Sequence, residues 1–223
     1  MPKWLRILVF SCVALACVVA LVLGLIWRAS RQVPEFYEVV LQADPTAQAE
    51  ASDELLRQAT DLAGELREQG RWEATFTAEQ INGWLAVDLV ENHPDQLPNS
   101  LSDPRVAIKP DRLMLACRFH EGRIDSVLSL ALDVYLAERG VVAVRIRQAR
   151  AGSLPLPLER VLEEINKAAG RSTARIRWRQ ADGDPVAMIS LPEPRGPDAR
   201  AVRIDTLRLE DGAIHVSGTT ERR

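Results

Sequence analysis

From residue 105 onward the chain is a succession of strand-like apolar and polar runs separated by tight-turn pairs, and this pattern restricts the fold more than any other feature. The runs are 105–109, 112–119, 124–137 and 141–150, then 173–180, 185–191, 200–210 and 213–219. Pro110-Asp111, Glu121-Gly122, Arg139-Gly140, Asp182-Gly183 and Asp211-Gly212 supply the turn chemistry between them. Hairpin connections require antiparallel neighbours, so the expected class is α+β and not doubly wound α/β. Leu113, Leu115, Cys117 and Phe119 share one strand face; Leu128, Leu130, Leu132, Val134 and Leu136 share another. A run of about 14 residues exceeds the usual strand length and implies twist or curvature. Val202 and Ile204 are out of phase with Leu207 and Leu209, which predicts a bulge near Asp205-Thr206.

Two amphipathic helices are expected among these strands. Residues 72–76 alternate like a strand. Thr77-Ala-Glu-Gln80 then forms a capping box, with Phe76 and Ile81 at the staple positions. The helix it opens runs to about Glu91, buries Ile81, Trp84, Leu85 and Leu89, and ends at His93-Pro94. The second helix follows Ser153-Leu-Pro-Leu-Pro157 and carries Leu158, Val161, Leu162, Ile165 and Ala169 on one face. The expected architecture is a curved antiparallel sheet of about eight strands packed on or wrapped around these helices.

Upstream, Asp44-Pro45 reads as an N-cap followed by proline at the first helical position, opening a helix through Gln69 that Gly70 stops. Its stripe of Leu55, Ala59, Leu62, Ala63 and Leu66 is narrow, as for a stalk or a helix docked on a domain flank. Residues 7–27 carry no charge. As a helix they would span roughly 32 Å, matching a ~30 Å hydrocarbon core, with Trp4 and Trp27 at the two interfaces. The run outlasts the apolar region of a signal peptide. The expectation is a transmembrane anchor over 1–27, a juxtamembrane segment and flanking helix over 28–71, and an extracytoplasmic domain over 72–223. That makes the cell membrane, crossed once, an integral partner.

The chain of 223 residues has a formal charge of −3, which suits one domain with an appendage and gives no reason to expect nucleic-acid binding. Cys12, Cys17 and Cys117 build neither a disulfide framework nor a metal site. No metalloprotease, nucleophile-elbow, phosphate-loop or dinucleotide motif occurs. His93, His120 and His215 read as surface residues, and Cys117 as an inert buried thiol. Asp182-Gly183-Asp184 opens like a calcium loop but lacks the later ligands. No catalytic residue, metal or cofactor is expected.

At FTAEQINGWL (76–85) and GSLPLPLERVL (152–162) the sequence resembles the YpmS-like group of bacterial membrane-anchored proteins. The group shares a single N-terminal span, an F-T-x-E-Q-x-N helix start and an LPLP-type lead-in to a later helix, and has no established activity. The strand order also resembles the tubular lipid-binding fold, which implies acyl chains held between a curved sheet and a helix. The resemblance covers residues 72–219 and does not extend to the 45–69 helix.

Two functions of different class follow. One is a lipid or other apolar ligand held between sheet and helix by Trp84, Leu128, Leu130, Leu132, Val134, Leu158 and Leu162, residues that also serve to close a solid core. Arginine supplies 25 of the 28 basic residues. Arg145, Arg147, Arg175 and Arg177 form either a guanidinium ladder for an anionic headgroup or a solvated outer face. The other is a structural protein that docks an envelope partner through the 44–69 helix or the outer sheet face.

Overall fold

The turn pairs close hairpins. Asp182 and Gly183 take φ values of 51° and 84°, the paired left-handed geometry whose twist matches that of the flanking strands. The computed structural model describes residues 29–122, 124–159, 162–163, 175–190 and 200–222. Among them ten strands form two sheets, and every pairing is antiparallel. They are β1 (Gly70–Thr77), β2 (Leu101–Lys109), β3 (Arg112–Glu121), β4 (Ile124–Glu138), β5 (Val141–Ala151), β6 (Leu154–Pro155), β7 (Arg175–Ala181), β8 (Asp184–Ser190), β9 (Arg200–Glu210) and β10 (Ala213–Arg222). The larger sheet runs β2-β3-β4-β5-β8-β7, with β6 folded back onto the end of β5; the smaller runs β1-β10-β9.

The expected bulge is present. Ser217 faces Thr206 and Gly218 faces Ile204, so Asp205 is the extra residue, and Val202 and Ile204 regain phase with Leu207 and Leu209. The long strand β4 has two such adjustments against β5: Arg147 has no partner between Ala131 and Leu132, and Ala137 none between Leu136 and Glu138. These absorb the twist that a strand of 15 residues accumulates. Register lines up apolar rows across the sheet, such as Leu115–Leu130–Ala149 and Leu113–Leu132–Ile146. In the smaller sheet Trp72 lies over Gly218, where any Cβ would collide with the indole and with the Arg203 carbonyl. Main-chain bonds from Asp111 to Leu209, Gly140 to Ile204 and Gly212 to Ile108 (3.3, 3.0 and 3.0 Å) fasten the smaller sheet to the larger one.

The helices correct the expected fold class. Four are well defined: α1 (Glu35–Leu41), α2 (Pro45–Glu65), α3 (Ala78–Ala86) and α4 (Asp88–Asn92). Among the described residues α1 packs on a face of the larger sheet, with Tyr37 against Ala116 and Val127, and α3 packs on β2. Sheet dominates because the hairpin strands satisfy their backbones against one another, and the helices cover part of one face and one edge. The single helix expected from Thr77 to Glu91 breaks at Val87, whose φ and ψ of −111° and −72° interrupt the helical path. The helix expected over 158–169 lies largely outside the described residues. Among the described residues no helix is long and apolar enough to cross a membrane. No described helix supplies the expected single-pass anchor, and the 7–27 run that motivated it lies outside the described residues.

The helix read from Asp44 is present, capped by Asp44 Oδ1, which accepts from the Thr46 and Ala47 amides at 2.8 and 3.1 Å. It ends at Glu65, ahead of the expected stop, and Gly70 instead opens β1 at φ 149°. Leu55, Leu62 and Leu66 are half-buried as the stripe predicted, whereas Ala59 and Ala63 face solvent.

Candidate functional site

Three specific contacts fix three helices around the edge strand β2. First, Tyr37 of α1 is fully buried against Ala116 and Val127, on the sheet face opposite the Leu115–Leu130 row. Its hydroxyl donates to the Asp103 carbonyl at 2.7 Å. That carbonyl is available because Asp103, at φ 50°, and Pro104 sit in a register break of β2 and β3. Burial, with the Asp103 carboxylate second, pushes the Tyr37 phenol up to about 12.

Second, the Asn82 carboxamide of α3 pairs with the main chain of Val106. Nδ2 donates to the Val106 carbonyl at 2.8 Å, and the Val106 amide donates to Oδ1 at 2.7 Å. The side chain thus copies a neighbouring strand and closes an edge that would otherwise be open to pairing. The capping box holds α3 in place for this: the Gln80 amide donates to Thr77 Oγ1 at 3.1 Å, and the Thr77 amide to Gln80 Oε1 at 2.9 Å. Of the residues expected to bury this helix, Leu89 is buried while Ile81, Trp84 and Leu85 are only half-buried; within α3 the buried positions are Asn82 and Gly83. Third, Gly83 lets α2 approach. A Cβ there would lie 2.5 Å from the Gln48 carbonyl and 2.7 Å from the Ser52 amide. The start of α2 therefore docks within the chain, and Ser52 is buried.

Between these contacts lies a cleft of about 690 Å³. Phe36, Val39 and Val40 of α1 face Val106, Ala107 and Ile108 of β2 across it, with α3 and the start of α2 forming the rest of the wall. Val39 is 67% exposed, the most open large apolar side chain among those described. Glu35, Glu79, Lys109 and Asp211 also line the cleft, and Lys109 Nζ meets Asp211 Oδ1 at 2.9 Å. A larger hollow of about 860 Å³ lies on the smaller sheet. Its lining is mostly charged and hydroxyl-bearing, and Asp205 there is engaged by Thr219 at 3.2 Å and Arg139 at 3.8 Å. Emptying it of water would strip hydration from those groups with no apolar gain, so it is the poorer ligand site.

The residues named from sequence lie elsewhere. Leu128, Leu130, Leu132 and Val134 are half-buried in the β4 row. Of these, Leu130 borders a hollow of about 190 Å³ near Phe36 and Met114. Trp84 lies 6.0 Å from the His93 ring, the two planes tilted by 40°, and does not line the apolar cleft. Leu158 and Leu162 are half-buried, in a stretch mostly outside the described residues. Arg145 and Arg147 share a sheet face as expected, but β8 separates β5 from β7, so no continuous ladder joins them to Arg177. The side chain of Arg175 is outside the described residues. Carboxylates engage both β5 guanidiniums: Arg145 meets Asp184 at 2.7 Å and Asp182 at 3.1 Å, and Arg147 meets Asp133 at 2.6 Å and Asp184 at 3.0 Å. The hydrogen bond from Arg147, then that from Arg145, holds the Asp184 carboxyl below its ordinary value. The pair Asp182 and Asp184 thus neutralises arginine, and among the described residues no cluster of three metal ligands occurs.

Sequence reasoning missed two groups. Arg105 is 6% exposed; Nη1 donates to the Pro104 carbonyl at 2.8 Å, while Nε has no partner among the described residues. On the outer face of the smaller sheet, Thr75 Oγ1 lies 2.8 Å from His215 Nδ1, and His215 Nε2 lies 3.5 Å from Glu210 Oε2. This hydroxyl–imidazole–carboxylate array has the order of a catalytic relay but sits on an open sheet face and borders neither the apolar cleft nor the polar hollow. Burial raises the Cys117 thiol to about 11, which makes it a poor nucleophile. Comparisons with family models, with curated proteins and with solved structures returned no match.

Proposed function

We propose that the protein is a non-catalytic binding module that takes an apolar small molecule into the cleft between α1, α3 and the edge strand β2. The observation that carries this reading is the apolar lining of a preformed space of about 690 Å³ with a few polar groups at its border. Small-molecule sites have that size and composition, roughly 300–1,000 Å³. Its walls are set by the Tyr37, Asn82 and Gly83 contacts, so a ligand would find the space already shaped. Other surfaces are less suited. The β5 arginines are engaged by carboxylates, and the start of α2 is docked on α3.

The test is binding of the neutral dye Nile red to the full chain, followed by its emission shift. Val39→Asp with Ala43→Trp places a charge and a ring at solvent-facing positions of the lining. At least a tenfold loss of affinity is expected. Unchanged binding by this variant removes the cleft as the ligand site.

A further inference from the structure

We infer that the ligand of this cleft is a cationic amphiphile, a single apolar chain ending in an ammonium head; this rests on the cleft being the ligand site. The charges that line it decide the matter. Lys109 is its one basic lining residue and is neutralised by Asp211 at 2.9 Å. Glu35 and Glu79 are exposed, and neither has an ion pair among the described residues. The lining therefore carries two uncompensated carboxylates beside an apolar floor.

An anionic head would meet the opposite situation. Three helices begin beside the cleft, and amides in the first turn of each are engaged, those of Thr46 and Ala47 by Asp44 Oδ1. The Ala78 amide donates to the Gly212 carbonyl at 2.7 Å, the Gln80 amide to Thr77 Oγ1 at 3.1 Å, and the Tyr37 amide to the Pro34 carbonyl at 2.9 Å. An acidic head would have to displace Asp211 from Lys109 and sit beside two like charges. An ammonium head meets carboxylates of the opposite sign and displaces no ion pair of the lining.

The experiment compares three probes with a ten-carbon chain on the full chain by calorimetry: decyltrimethylammonium and decanoate below their micelle concentrations, and decanol below its solubility limit. Exposed charges contribute modestly, so the cation should bind about three- to tenfold more tightly than decanoate at low salt, with the ratio shrinking at high salt. Glu35→Gln with Glu79→Gln should bring the ratio within about twofold while decanol binding stays constant. Glu121→Gln with Glu138→Gln removes the same net charge from distant turns and should leave the ratio intact. Decanoate binding as well as or better than the cation overturns the inference. So does a ratio that survives the Glu35/Glu79 change, or one that falls equally in the distant pair. In each case decanol binding shows that the cleft itself still stands. Failure of all three probes to bind overturns the cleft reading together with the inference.

Discussion

The side chain of Asn82 and the main chain of Val106, 24 positions apart, exchange two hydrogen bonds of 2.8 and 2.7 Å in a buried setting. Removing the carboxamide strands a buried amide and a buried carbonyl at once. Asn82→Ala is expected to cost about 2–4 kcal/mol in urea unfolding. Asn82→Asp should cost more, because a carboxylate accepts from the Val106 amide but faces the Val106 carbonyl with a like dipole. A loss below about 0.5 kcal/mol for both would mean the pairing contributes nothing.

Two glycines of the helices make a matched contrast. A Cβ on Gly64 meets nothing within 4 Å, whereas on Gly83 it meets the α2 backbone at 2.5 Å. Gly64→Ala is expected to stabilise the protein by about 0.5–1 kcal/mol through helix propensity and unfolded-state entropy. Gly83→Ala should destabilise it by about 1–3 kcal/mol by overpacking and should weaken Nile red binding, since α2 forms part of the cleft wall. Equal shifts from the two substitutions would contradict the close approach.

Tyr37 makes stability fall at alkaline pH. Its phenol is held at about 12, above its ordinary value of 10.0, so folding favours the protonated form. The contribution is complete below pH 10 and is lost as pH rises toward 12. Tyr37→Phe should cost about 1 kcal/mol at neutral pH, from the lost bond to the Asp103 carbonyl, and should remove this alkaline limb. Phenolate absorbance in a Tyr135→Phe background checks it: ionisation of Tyr37 near pH 10 in the folded protein would refute the burial argument.

Asp184 acts at the other end of the scale. Its carboxyl is held low by Arg147 and Arg145, so its contribution is present above the ordinary carboxylate value of 3.8 and is lost as pH falls through the lower folded value. Asp184→Asn should flatten the acid limb of a stability–pH profile below about pH 4 while moving the neutral plateau less. A mutant profile that keeps the full acid slope would show that other carboxylates supply it.

Arg105 is buried without a carboxylate in ion-pair range among the described residues. Replacing a buried, poorly compensated charge with an apolar side chain of similar length relieves a desolvation cost. Arg105→Met is expected to raise stability by about 1 kcal/mol or more, measured by thermal and urea unfolding. A clear loss would mean the guanidinium has a stabilising role beyond its bond to the Pro104 carbonyl.

Much of the strand pattern was legible, because alternation and turn pairs act over a few residues. The Asp205 bulge could be read from a phase slip among four apolar positions, and the Thr77 capping box from its spacing alone. The cleft was not legible. It depends on Tyr37 reaching Asp103 and Asn82 reaching Val106, contacts 66 and 24 positions apart that leave no periodic trace. One signal was present: Asn82-Gly83 places two poor helix formers side by side inside a nine-residue helix, a local cost that implies a tertiary use. The spacing of Arg145 and Arg147 placed them on one face of a strand, but not beside Arg177, because β8 comes between β5 and β7. The carboxylate partners of Arg145 and Arg147 were hidden because Asp133 and Asp184 come from other strands. The two motifs behind the family resemblance are junctions of the chain. FTAEQIN carries the cap and the Asn82 pairing; GSLPLP reverses the chain so that β6 returns onto β5.

The floor of the cleft is an edge strand with its polar groups already spoken for. Pro104 has no amide, Val106 gives both its groups to Asn82, and the Ile108 carbonyl accepts from Gly212. A polypeptide entering here finds no template to zip along and no register to lock. What remains to discriminate visitors is bulk, greasiness and the sign of one end, a filter that ignores the order of monomers in a chain. On the proposed reading, such a floor would sort amphiphiles by shape and charge and would offer a linear epitope no strand to pair with.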